Sequence, residues 1–140
     1  MAGSAVTQKV YDVEPVGNGL GFSIIELGWT SDDATGAVEA ATNAAVTKIV
    51  TGKWLLQAQT KPTSGGTAPT DNYDIVLNDD LSMDVMGGTL ANRSSTLTQV
   101  ALPYPGSLTY APVPVKGALT LSITNAGNAK KGTVYLYLSR

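Results

Sequence analysis

The chain contains neither cysteine nor histidine. Without cysteine there are no disulfides, no thiolate nucleophiles and no zinc or iron sites with cysteine ligands. Without histidine the chain lacks the commonest general base near neutral pH, every Ser–His–Asp or Cys–His arrangement, and the commonest transition-metal ligand.

Charge and long apolar runs are also scarce. Nine basic and eleven acidic residues give a formal net charge of −2. The basic residues are scattered, and the adjacent pair Lys130 and Lys131 falls in a turn-rich stretch. We therefore expect no nucleic-acid partner. No stretch comes near the roughly eighteen consecutive apolar residues that a membrane-spanning helix needs. The first residues of the sequence also lack the pattern of a secretory signal peptide. These features predict no membrane contact and a protein made and kept in a cytoplasm, unless an assembly carries it out.

The length of 140 residues predicts a single domain, residues 1–140, with a core of its own. Strand-like segments with turn signals between them lie at residues 6–16, 22–29, 53–60 and 73–78. Seven to nine short strands without a βαβ pattern predict an all-β fold, an antiparallel β-sandwich that is jelly-roll-like. Period-two alternation places Trp54, Leu56 and Ala58 on one face of the third segment. In the fourth segment it places Tyr73, Ile75 and Leu77 on one face.

Two segments are less regular. Residues 32–51 combine an Ala-rich run, which suits a helix, with β-branched residues, which favour two strands joined by a turn; we prefer the strands. Residues 83–91 are predicted to form a short helical turn.

The last part of the chain, residues 118–140, has the pattern of one long β-hairpin. In both strands of this predicted hairpin, alternate residues are apolar and share one face. The other face carries Thr133, Tyr135 and Tyr137 where a solvated strand would carry Lys and Glu. We therefore expect this face to be covered by something.

Two segments are expected to act as arms. Residues 102–115 contain four prolines, which remove ladder donors and keep the chain extended, so this segment is not a central strand. It still carries Leu, Tyr and Val, and we expect a proline-rich extended arm that lies across the edge of its own sheet or reaches a neighbouring subunit. Residues 1–20 are the second candidate, an N-terminal arm.

Carboxylates cluster between Asp71 and Asp84. Asp80, Ser82 and Asp84 match the first ligand positions of a calcium loop, but Val85 stands where such a loop needs Gly. The simpler interpretation is a hairpin turn at residues 78–80 held by side-chain to backbone hydrogen bonds. Glu26 and Asp74 are the acids that a glycosidase pair would use, although nothing in the sequence fixes their separation. We predict no metal, no cofactor, no catalytic residues and no enzyme activity.

The aromatic residues divide by their surroundings. Phe22 and Trp54 lie inside apolar runs and are expected in the core. Trp29 precedes a polar stretch, and Tyr104 and Tyr110 lie among the prolines, so these three are expected at the surface. Protein contact and sugar stacking both use such residues, and the absence of a pocket favours protein contact. The candidate interface residues are Trp29, Tyr104, Pro105, Tyr110, Pro112, Pro114, Tyr135 and Tyr137.

From Trp29 onward the chain resembles small virion proteins of tailed bacteriophages. The resemblance is carried, in order, by WTSD at residues 29–32, YDIVL at 73–77, DVMGGTLANRS at 84–94, LTLSITNAG at 119–127 and GTVYLYL at 132–138. In size and all-β character the chain is most similar to capsid cement or decoration proteins, which sit on the outside of the capsid shell. The resemblance implies a jelly-roll-like sandwich that forms dimers or trimers and binds across capsomer boundaries.

The expected function is therefore structural: a homo-oligomeric cement protein of the virion, on the outer capsid surface, that bridges subunits of the major capsid protein. It would be made in the host cytoplasm. Two alternatives remain open at this point: a neck, tail or head-fibre component of the virion, and a surface carbohydrate-binding module that uses Trp29 and the Thr-rich faces.

Overall fold

Eight β-strands and one 3₁₀ turn account for the regular structure of the described residues. The computed structural model describes residues 4–14, 21–39, 51–106 and 109–139. The strands are β1 (Ala5–Val13), β2 (Phe22–Thr30), β3 (Trp54–Pro62), β4 (Asp74–Asn78), β5 (Gln99–Ala101), β6 (Val113–Pro114), β7 (Thr120–Thr124) and β8 (Lys131–Ser139), and the 3₁₀ turn is Gly65–Thr67.

The strands form two antiparallel sheets. The large sheet has the order β1-β2-β8-β3-β5, and β6 pairs with the start of β3. The small sheet pairs β4 with β7. Alternate residues of β2, β4, β7 and β8 are buried, as expected for strands with one face on a core.

One hydrophobic core lies between the sheets. It joins Ile25, Leu27 and Leu136 of the large sheet to Ile75 and Leu121 of the small one. The rings of Trp29 and Tyr73 meet across it at a centroid distance of 5.6 Å. The all-β, antiparallel sandwich predicted from the sequence is therefore confirmed, while the jelly-roll-like connectivity stays a prediction.

The predicted C-terminal hairpin is wrong. Its alternation is correct, because Leu119, Leu121 and Ile123 and then Val134, Leu136 and Leu138 are all buried. However, β7 pairs with β4, whereas β8 lies between β2 and β3. The chain crosses from one sheet to the other after Thr124, so the two apolar faces meet across the core instead of lying side by side.

Ser31 holds this crossing in place. Its hydroxyl donates to the carbonyl oxygen of Gly127 at 2.6 Å and accepts from the backbone N–H of Lys130 at 2.8 Å. Asn125, Gly127 and Ala129 have positive φ, which turns the chain sharply. A residue that directly follows β2 therefore fixes the path of a segment almost one hundred positions later.

The expected positions of the two tryptophans are reversed. Trp29 is 2% exposed, whereas Trp54 is 49% exposed. In β2, Trp29 shares its face with Ile25 and Leu27, so period-two alternation takes it into the core. In β3 the register shifts between Leu55 and Gln57, and this bulge puts Leu55 and Ala58 inside instead of Trp54 and Leu56.

Three other expectations concern the irregular segments. No helical turn occurs within residues 83–91; instead, successive tight turns follow one another, and Gly87 and Gly88 have positive φ, which a right-handed helix excludes. Residues 32–39 form a turn at Asp32 and a bridge between Val38 and Ile123, and residues 40–50 lie outside the described residues. The described part of the N-terminal segment contains β1, a strand of the large sheet.

The proline-rich segment lies across its own sheet. Val113 and Pro114 pair with Leu55 and Trp54 at the start of β3. Pro103 and Val115 are buried, and the N–H of Val115 donates to the Lys53 carbonyl oxygen at 2.8 Å. Of the two alternatives for this segment, the structure thus shows the contact with its own sheet edge.

Candidate interaction surface

The large sheet has one face turned away from the small sheet, called here the outer face. Cross-strand partners lie on the same side of a sheet, so the register defines its rows. One row contains Lys9, Glu26, Tyr135, Gln59 and Val100. The next contains Tyr11, Ile24, Tyr137 and Gln57. Within the described residues no second sheet packs over this face, because the small sheet covers the opposite one.

The middle of the outer face is a shallow groove of about 470 Å³. Its walls are formed by Tyr11, Ile24, Glu26, Gln59, Lys61, Thr98, Tyr135 and Tyr137. Three tyrosines and an isoleucine provide the apolar area, and the remaining polar side chains stand among them. This mixture of aromatic rings with hydrogen-bonding groups is typical of surfaces that contact other molecules.

Hydrogen bonds fix two tyrosines of this groove. The Tyr11 hydroxyl donates to Glu26 Oε2 at 2.9 Å, and the Tyr137 hydroxyl donates to Gln59 Oε1 at 2.9 Å. The hydrogen bond to Glu26 raises the pKa of Tyr11, and partial burial followed by the Glu26 charge raises the pKa of Tyr135. The hydroxyls of Tyr11 and Tyr135 are therefore neutral at physiological pH. Rings that are held before any partner arrives lower the entropic cost of binding.

Exposed apolar side chains continue from the outer face onto the β5 border. Val100 is 54% exposed beside Gln59, and Leu97 and Leu102 flank it. A smaller groove of about 330 Å³ joins Val100 and Leu102 to Tyr110, which is 62% exposed. Tyr110 in turn meets Tyr104 edge to face at 5.2 Å. Tyr110 thus extends the same surface.

The other predicted interface residues of the proline segment line different grooves or are exposed. Tyr104 and Pro105 line a groove of about 310 Å³, and Pro114 lines an adjoining one of about 580 Å³. Met83, Val85 and Val113 belong to both grooves. Pro105 and Pro112 are exposed. Trp29 is the exception among the predicted residues, because its burial removes it from the surface of the chain.

Several residues of this surface are not among the interface residues predicted from the sequence. Tyr11 and Val100 reach the outer face through the register of β1 and β5, which the sequence does not state. Trp54 reaches the surface through the bulge in β3. The sequence of β1 gives no clear signal, because two of the residues that alternate with Thr7, Lys9 and Tyr11 are the polar Gln8 and Asp12.

The acidic residues are used in turns. Asp79 Oδ1 accepts the N–H groups of Leu81 and Met83 at 2.9 and 3.0 Å, which confirms the predicted turn held by side-chain to backbone bonds. Across the described ranges, no three acidic side chains come together as metal ligands. Glu26 lies on the large sheet, whereas Asp74 lies in the small sheet and accepts from Asn92 and Asn125.

The described segments contain no helix long and apolar enough to cross a membrane. No protein-family model, curated protein or solved structure matches this chain.

Proposed function

We propose that the protein is a capsid cement protein of a tailed bacteriophage, which stabilises the head by bridging subunits of the major capsid protein. The observation that carries the proposal is the outer face. It is built from ordered tyrosines with few charges, and it continues onto the exposed apolar border of β5. Such a surface gains most by being covered with protein.

The mechanism is surface burial. Each copy docks its outer face and the β5 border across a boundary between capsid subunits. A contact of about 1,200 to 2,000 Å² is the usual size of a specific interface, and this area must be exposed again before the subunits separate under internal DNA pressure. Because many copies act on one shell, modest individual contacts add up to a large effect.

The test uses purified protein and shells that lack it. We expect saturable binding and a higher temperature of shell disruption. The variants Tyr135→Lys and Tyr110→Lys place a charge in the outer face and at its border, and we expect each to weaken binding about tenfold or more. Leu81→Lys is the matched control, because Leu81 is 71% exposed and lies outside this surface. Absence of binding, or equal loss in the control, contradicts the proposal.

A position at the neck, tail or head fibre would use the same surface in fewer copies. Copy number separates the two virion roles: hundreds of copies per particle indicate cement, and about a dozen indicate a connector or tail component.

Sugar binding is a second candidate, and one observation favours it. The outer-face groove combines three tyrosines with a carboxylate, an amide and an ammonium group, the side chains that recognise sugar hydroxyls. The platform would be this groove and not Trp29, which is buried. A glycan array without hits removes this candidate.

A further inference from the structure

The strand β1 forms one edge of the large sheet. It runs for nine residues and keeps an unbroken register with β2, from Ala5 opposite Thr30 to Val13 opposite Phe22. In the part of the chain that the structure describes, β1 pairs only with β2. No described strand pairs with the N–H and C=O groups on its other side, so these groups offer a template for another strand.

The opposite edge of the same sheet is protected in the usual ways. There β3 is bordered by two short strands, β5 with three residues and β6 with two, and β6 contains Pro114. Short strands and proline prevent edge-to-edge pairing. β1 is long, regular and free of proline and bulges, and its Val10 and Tyr11 are 38% and 46% exposed. Its features are those of a strand that pairs.

Symmetry limits how two copies of β1 can meet. Two antiparallel copies of one edge are related by a two-fold axis perpendicular to the sheet. The outer face of one copy then continues into the outer face of the other, so even-numbered residues oppose even-numbered ones. Each allowed register therefore places one residue of β1 opposite its own copy.

The charges of β1 favour one of these registers; a register centred on Gln8 gives Lys9 and Asp12 only the neutral Thr7 and Ser4 as partners. A register centred on Lys9 places two ammonium groups face to face, and one centred on Tyr11 places Asp12 against the apolar Val10. A register centred on Val10 places Val10 against Val10, Gln8 against Asp12, and Lys9 against Tyr11. In that register Lys9 approaches the Tyr11 hydroxyl and its Glu26 partner in the other copy, and Gln8 can donate to the Asp12 carboxylate.

We propose that two copies of this protein pair antiparallel through their β1 edges, with Val10 on the two-fold axis. The result is one continuous sheet through both copies, whose outer faces join into a single surface. This inference is independent of the capsid proposal, because it requires only the chain itself.

The first test measures the mass of the purified full chain in solution by light scattering and sedimentation. We expect a dimer. Val10→Lys sets two charges against each other on the axis and is expected to weaken the dimer about 10- to 100-fold. The matched control is Val100→Lys, which changes an exposed valine on the β5 border and leaves the dimer intact. A wild-type monomer, or a dimer unaffected by Val10→Lys, overturns the proposal.

A second test reads the register directly and does not depend on the lysine variant folding. The chain has no cysteine, so Val10→Cys introduces one thiol per copy. On the axis the two thiols lie within disulfide distance, and mild oxidation is expected to give a covalent dimer. Ala5→Cys is the control: its two copies lie about 34 Å apart in this register and do not cross-link. Equal cross-linking of both variants, or a dimeric Val10→Cys variant that does not cross-link, contradicts the register.

The two proposals fail separately. If Val10→Lys yields a monomer that still binds shells, the dimer is confirmed and the docking surface is the outer face alone. If the wild type is a dimer that Val10→Lys disrupts but that does not bind shells, the edge pairing holds and the cement role is wrong.

Discussion

Trp29 packs against Gly132, its cross-strand partner on β8, so closely that no larger residue fits there. A Cβ atom on Gly132 would lie 2.6 Å from Cζ2 and 2.9 Å from Cε2 of the indole. The same indole meets Tyr73 of the opposite side of the core. Trp29 therefore fills the space between the two sheets, and Gly132 provides the room for it.

Gly132→Ala is expected to lower the free energy of unfolding by about 1–3 kcal/mol, because the added methyl group forces the indole out of its position. Chemical denaturation followed by Trp fluorescence measures this change. Gly66→Ala is the control, since a Cβ on Gly66 meets no atom within 4 Å. Equal stability of Gly132→Ala and the wild type would show that the indole can move without cost.

Tyr73 makes stability sensitive to alkaline pH. Burial raises the pKa of Tyr73 to about 12, partly opposed by the positive charge of Arg93. The unfolded chain ionises near pH 10, so it loses the proton first and the free energy of unfolding falls as pH rises from about 10 to 12. Tyr73→Phe removes this contribution, and we expect its stability relative to the wild type to increase over that range.

At neutral pH we expect Tyr73→Phe to be at least as stable as the wild type. The buried Tyr73 hydroxyl makes no hydrogen bond of normal geometry within the described residues, so its removal breaks no such bond. Tyr110→Phe, at an exposed position, is the control. If stability falls equally for Tyr73→Phe and the wild type between about pH 10 and 12, Tyr73 does not cause the alkaline loss of stability.

Asp84 organises the turns that follow β4. Its Oδ1 accepts the N–H groups of Leu77 and Met86, and its Oδ2 accepts that of Gly88. Asp84→Ala leaves three donors without this acceptor and is expected to cost about 2–3 kcal/mol. Thermal unfolding measures this loss of stability. Asp80→Ala is the control, because Asp80 forms an exposed ion pair with Lys116 at 3.3 Å, and its effect should stay below about 1 kcal/mol.

Much of the fold follows from local pattern. The alternation in β7 and β8 correctly identifies which residues are buried, since the period of a strand is set by its backbone. The pairing of the strands, in contrast, depends on contacts between residues that are far apart in the sequence. The path between β7 and β8 depends on Ser31, far away in the sequence, and the pattern of residues 118–140 carries no trace of it.

The tryptophans illustrate the same limit. The face of Trp29 follows from its spacing to Ile25 and Leu27, but its polar successors argue for exposure. The exposure of Trp54 depends on a bulge at residues 55–57, which reverses the facing of the residues before it relative to those after it, and no local signal at Leu56 indicates one.

The candidate surface is predicted in part by the sequence. Tyr135 and Tyr137 are recognisable because a strand with Thr and Tyr on its second face is unusual, and the structure places both in the outer-face groove. Tyr11 and Val100 join them only through tertiary register. We propose that another protein covers this face.

Hydroxyl-radical footprinting of the free protein and of protein bound to phage shells tests that claim most directly. We expect Tyr135, Tyr137 and Tyr110 to be modified in the free protein and protected on the particle, while Leu81 reacts equally in both. If these tyrosines react on the particle as they do in solution, the outer face is not the surface that the protein uses.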